Sequence, residues 1–138
     1  MSTMNFIPSV FLAITAHACM MVTLIYNKDT FIQNSIPQSE ATNAELYGAL
    51  SVSFSINVGL SITFLLLELI LLFRTVYSFF VNIFLLISHT ISTAILVKFT
   101  FDQHPIYHFW ILFIFSSMPT FLTLLAQFAK EISFKTVC

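Results

Sequence analysis

Four apolar stretches, each long enough to cross a bilayer as a helix, constrain this chain more than anything else in it. They run roughly from Pro8 to Tyr26, Gly48 to Phe73, Val76 to Thr100 and Tyr107 to Ala129. A spanning helix needs ~20 apolar residues, and a lone strand in lipid would leave its backbone groups unpaired. The expected fold is therefore all-α: one integral membrane bundle of four transmembrane helices, residues 1–138, with no soluble domain. Composition agrees, because 58% of the 138 residues are hydrophobic and only 8% are charged. Soluble domains carry about 25% charged residues. A net charge of −1 argues against a nucleic-acid partner, which would call for a basic patch.

The connections are unequal. Asn27 to Glu45 is polar, holds Pro37 and is the one loop with room for a recognition surface. The second and third spans are joined only by "FRTVY", which demands a tight hairpin. "DQHPI" joins the third to the fourth, and Pro105 suits a helix start because its missing N–H would be unpaired there anyway. Ala16-His17-Ala18 fits a signal-peptide cleavage site, but "MSTMN" has no positive charge and the apolar run continues through "CMMVTLIY". An uncleaved first anchor is the better reading. Cys138 is the last residue and does not fit a prenylation box; palmitoylation is the modification open to it.

Four spans put both termini and Arg74 on one side. That side carries Arg74, Lys130 and Lys135, three positive charges against Lys28 and Lys98 on the other. The excess predicts cytoplasmic termini. Tyr26, Tyr47, Tyr107 and Trp110 fall near span ends on the opposite side, as an interfacial aromatic belt would.

The polar residues inside the spans are patterned. At ~100° per residue, Ser78, Asn82, Ser92, Thr93 and Thr100 all fall within about 60° of His89 on the third span. Ser53, Asn57, Ser61 and Glu68 share a face of the second span, and Ser116, Thr120, Thr123 and Gln127 share one on the fourth. Polar stripes are costly against lipid and should face other helices. Opposite its stripe, the second span has Ser51, Ser55, Gly59 and Thr63 at every fourth residue, a ladder that permits close helix approach. That makes the second span a central helix with two contacting faces. Pro119 removes one backbone hydrogen bond from the fourth span and predicts a bend there.

His17 and His89 lie near the middle of the first and third spans and could share a depth. Three uses compete. Neutral histidines hydrogen-bonded to neighbours would simply hold helices together. A histidine pair could ligate a haem iron, or relay protons with Glu68. Glu68, near the Arg74 end of the second span, suits an interhelical ion pair or hydrogen bond. Replacing His89 with Asn, which keeps a donor and an acceptor, is expected to be milder than replacing it with Leu. No nucleophile–base pair, phosphate loop or CxxC motif occurs, so no enzyme, cofactor or metal site is expected. The candidate packing or partner-contact residues are His17, Asn57, Gly59, Glu68, Asn82, His89 and Pro119.

Several segments have a familiar form. "IPSVFLAITAHACMMVTLIYNKDTFIQNSIP", "ALSVSF" with "LLELI", "SHTISTAILVKFTFDQ" and "YHFWILFIFSSMPTF" resemble, in order, the four spans of the transmembrane protein 107 family. The resemblance implies a small four-span protein of the ciliary transition zone. It implies a role in cilium formation as a scaffold of the Meckel-syndrome or tectonic-like module and its membrane diffusion barrier. The implied partners are other transition-zone membrane proteins of that module and the lipid bilayer.

Overall fold

The computed structural model describes residues 6–40, 42–74 and 77–135. Every long element is a helix: α1 (Ile7–Tyr26), α2 (Lys28–Ser35), α3 (Ala44–Arg74), α4 (Phe79–Asp102) and α5 (Ile106–Lys135), with a single 3-10 turn at Gln38–Glu40 between α2 and α3. Helices α1, α3, α4 and α5 are each long and apolar enough to cross a membrane. The chain is an all-helical, multi-pass membrane protein.

The helix ends follow local chemistry. Pro8 lies in the first turn of α1, where its lack of an N–H costs nothing. The Asn43 side chain accepts from the Leu46 N–H at 3.0 Å and starts α3. Ser78 accepts from the Val81 N–H at 3.5 Å and starts α4. Gln103 adopts φ 50° and ends α4 in the left-handed conformation typical of that position. The tight hairpin expected between the second and third spans includes residues 75 and 76, and Cys138 terminates the chain; all three lie outside the described residues.

The four spans form a ring in which α1 packs on α3 and α4, and α5 packs on the same two. Helices α3 and α4, consecutive in the chain, thus occupy opposite corners. The ring is apolar outside, and its apolar core encloses a group of buried polar side chains. Leu12, Phe73, Phe80 and Phe115 project outward, two-thirds or more exposed. His17, Asn57, Glu68, Asn82, His89 and Thr120 are buried inside. Lipid makes that arrangement stable: apolar side chains lose nothing by facing hydrocarbon, and side chains such as Glu68 and His89 find partners on the other spans inside.

The first connection is not a free loop. Its residues 28–35 form α2, which turns Phe31 and Ile32 into the core and leaves Asp29, Gln33 and Asn34 exposed. Phe31 meets Phe54 of α3 and Phe109 of α5 at ring-centroid distances of 6.0 and 5.1 Å. Ser35 Oγ accepts from the Ile106 N–H at 2.8 Å, so a residue of α2 caps the start of α5. Asn34 Nδ2 donates to the Gln103 carbonyl and side chain, each at 3.1 Å. The recognition surface expected of this segment is therefore reduced to the outward face of α2 and the residues after it.

The small-residue ladder is a second departure. Ser55, Gly59 and Thr63 are exposed, and a side chain added at Gly59 would meet no neighbour. Ser55 and Thr63 donate to carbonyls of their own helix, at Ser51 and Gly59. Small residues permit close approach without compelling it, and here the polar face of α3 takes the helix contacts. Gly59→Ala is expected to be neutral or to stabilise by up to ~1 kcal/mol, because alanine favours a helix interior over glycine. A thermal unfolding midpoint in detergent lower than that of the unmodified protein would show that a neighbour does approach Gly59.

Candidate functional site

At the centre of the ring, one chain of polar contacts links all four spans. His17 on α1 and His89 on α4 approach with their Nδ1 atoms 3.1 Å apart. His89 Nε2 lies 2.9 Å from Glu68 Oε1 on α3. The Thr120 hydroxyl on α5 donates to Glu68 Oε2. Glu68 and His89 are 0% exposed, Thr120 1% and His17 2%, so water competes for none of these bonds. The sequence places each residue where it is needed. His17 is flanked by the small residues Ala16 and Ala18, which let the facing helix come near. Thr120 follows Pro119, whose ring supplies no N–H inside α5.

The geometry dictates the order of donors. An Nδ1–Nδ1 contact requires that one nitrogen carry hydrogen and the other not. With Glu68 as carboxylate, both its oxygens accept, one from Thr120 and one from His89 Nε2–H. His89 then accepts at Nδ1 from His17 Nδ1–H. Each neutral histidine has one donor and one acceptor nitrogen, so the chain is self-consistent. It leaves His17 Nε2 as a bare acceptor. A small cavity of about 10 Å³ adjoins His17 and is also lined by Asn57, Ser61 and Ser116. The Asn57 side chain is 1% exposed, and its Nδ2 has no hydrogen-bond partner among the described residues.

The other sequence candidates are placed apart. Asn82 is buried two turns before His89; its Nδ2 donates to the Tyr77 carbonyl at 3.5 Å. Thr93 and Thr100, which share its stripe, donate to carbonyls of their own helix, at His89 and Leu96. Gly59 faces outward and Pro119 is buried within α5. The side chain of Gln127 lies outside the described residues. Thr120 belongs to the site although only its place on the α5 stripe pointed to it. A haem between His17 and His89 does not fit: their nitrogens are in direct hydrogen-bonding contact, and a macrocycle would have to part the ring of helices.

The sequence profile of the TMEM107 family, described as "Transmembrane protein", matches residues 6–128. The chain belongs to the TMEM107 family. That match takes in all four spans and every residue of the central polar chain. The chain is also similar to the curated "Transmembrane protein 107" of Danio rerio, with 29% identity over 135 residues, 89% of this chain and 94% of that protein. No solved structure matches the chain. Membership of the family therefore agrees with the four-span architecture, and the geometry of the polar chain adds an internal organisation to it.

Proposed function

We propose that this protein is a non-enzymatic membrane scaffold of the ciliary transition zone. In this reading it helps assemble the Meckel-syndrome or tectonic-like module and the ciliary diffusion barrier, and so supports cilium formation. The observation that carries the reading is the family match over residues 6–128, together with the transition-zone role that the resemblance implies. The architecture supports it. Nearly all of the described chain is helix, and the buried side chains of His17, Glu68, His89 and Thr120 link the four spans to one another. The outward surfaces of the four spans, rich in Phe, Leu and Ile, are what remains for lateral contact with other membrane proteins of the module and with lipid.

A tagged copy in ciliated cells is expected to concentrate at the cilium base. Uniform signal in the endoplasmic reticulum or plasma membrane, with none at the base, would overturn the proposal. The charge count adds an orientation: Arg74, Lys130 and Lys135 on the cytoplasmic side, with both termini. A C-terminal tag should be digested by protease once the plasma membrane alone is permeabilised. Protection until the internal membranes are opened would reverse the orientation.

A further inference from the structure

The geometry points to a proton-binding relay at the centre of the ring, in which His17, His89 and Glu68 take up one proton as a unit from a water held in the adjoining cavity. Two features carry this. The first is the unbroken sequence of contacts from Thr120 through Glu68 and His89 to His17. The second is what lies at its open end. There, a cavity of about 10 Å³ is lined by His17 and by Asn57, whose buried Nδ2 has no partner among the described residues. That volume corresponds to about one water. Such a water accepts from Asn57 Nδ2–H and donates to His17 Nε2, and the Ser61 and Ser116 hydroxyls lining the same cavity supply its remaining partners.

The proton count is simple. In the starting state Glu68 is a carboxylate, His89 carries hydrogen on Nε2 and His17 on Nδ1, giving a charge of minus one. A proton from the cavity water binds His17 Nε2. The Nδ1 hydrogen of His17 passes to His89 Nδ1, and the Nε2 hydrogen of His89 passes to Glu68 Oε1. The end state is neutral: a carboxylic acid and two histidines, each in its other tautomer. No imidazolium remains, and the hydroxide left in the cavity takes up a hydronium proton from the acidified solution, so one proton is gained overall. Thr120 donates to Glu68 Oε2 in both states.

The ionisable groups facing this site are His17 from α1, Glu68 from α3 and His89 from α4. Among the described residues of α5, the hydroxyls of Thr120 and Ser116 face the site. Helix α2 brings Lys28 and Asp29, and these are engaged with Ser55 and Tyr47. His104 and His108, with their Nδ1 atoms 3.1 Å apart, lie at the α4–α5 connection and serve as separate reference signals.

The test uses the full-length protein in detergent, titrated from roughly pH 8 to 5, the range in which histidines change charge. Infrared difference spectra should show a carboxylic-acid carbonyl band that is lost in Glu68→Gln. Histidine nitrogen NMR should show His17 and His89 exchanging tautomers at the same midpoint as that band. The variants His104→Gln and His108→Gln assign the remaining two histidines. Appearance of an imidazolium at His17 or His89, or fixed tautomers with no carboxyl band, would overturn the relay. Where Glu68→Gln does not fold, Thr120→Val retains the carboxyl group. It should shift the band to higher frequency, since the bond to Oε2 is gone; an unmoved band would show that the acid is another residue.

Discussion

Replacing His89 with leucine is expected to destabilise the folded bundle by ~2–4 kcal/mol while leaving membrane insertion intact. Insertion is spared because leucine makes the α4 span more hydrophobic. Stability suffers because His89 is the one side chain of the polar chain with both ring nitrogens engaged, Nδ1 with His17 and Nε2 with Glu68. Leucine removes two bonds and strands two buried partners, and each stranded group costs about 1–3 kcal/mol. His89→Asn, mild by its donor and acceptor count, is expected to be nearly as damaging. Asparagine is too short to meet α1 and α3 at once, so one contact is lost in any rotamer. The double variant Glu68→Leu/His89→Leu should lose less than the two single variants together, since each single variant strands the other's atom at the shared contact and the double variant does not. Unfolding of the purified protein in detergent, followed by circular dichroism, measures all four forms. Strict additivity, or a His89→Leu curve that overlies the parent, would show that the chain does not hold α3 and α4 together.

The gross fold was legible because it depends on quantities that local sequence carries. Span length and apolar content fix the number of helices, and the 3.6-residue period sorts polar residues onto inward faces. That arithmetic places Glu68, His89 and Thr120 on stripes, and the shared depth of His17 and His89 brings the two within reach of each other. It did not give the partners. A stripe says which way a residue points, not which helix stands opposite, and the ring order places α3 across from α4 although the two are neighbours in the chain. The same gap explains the small-residue ladder. Its spacing is right for a tight crossing, but α3 has two presentable faces; the polar one meets the other spans, and the ladder meets only the Lys28 side chain, at Ser55, among the described residues. Thr93 shares the face of His89 by angle, yet a threonine on a helix can satisfy itself through the carbonyl four residues back, here that of His89.

Helix α2 escaped for a different reason: eight residues are too few for periodicity to outweigh the polar composition around them. The informative signal is the pair Phe31-Ile32, two adjacent bulky apolar residues amid polar ones. Phe31→Ala is expected to cost ~3–5 kcal/mol, the range for truncating a buried phenylalanine. The site cannot collapse cheaply, because Phe31 is 1% exposed and packs against Phe54 and Phe109, which contact each other at 5.7 Å. Loss of this anchor should also release Ser35 from the Ile106 N–H and Asn34 from Gln103, so the effect spreads to the α4–α5 connection. Phe31→Leu retains most of the volume and should cost only ~1 kcal/mol. Limited trypsin digestion reads the local event directly. Cleavage after Lys28 should be slow in the parent and in Phe31→Leu, and faster in Phe31→Ala at a temperature where the spans remain helical. If the three proteins are cut at the same rate, α2 is not held by its aromatic anchor, and its role in capping α5 must be carried by the hydrogen bonds of Ser35 and Asn34 alone.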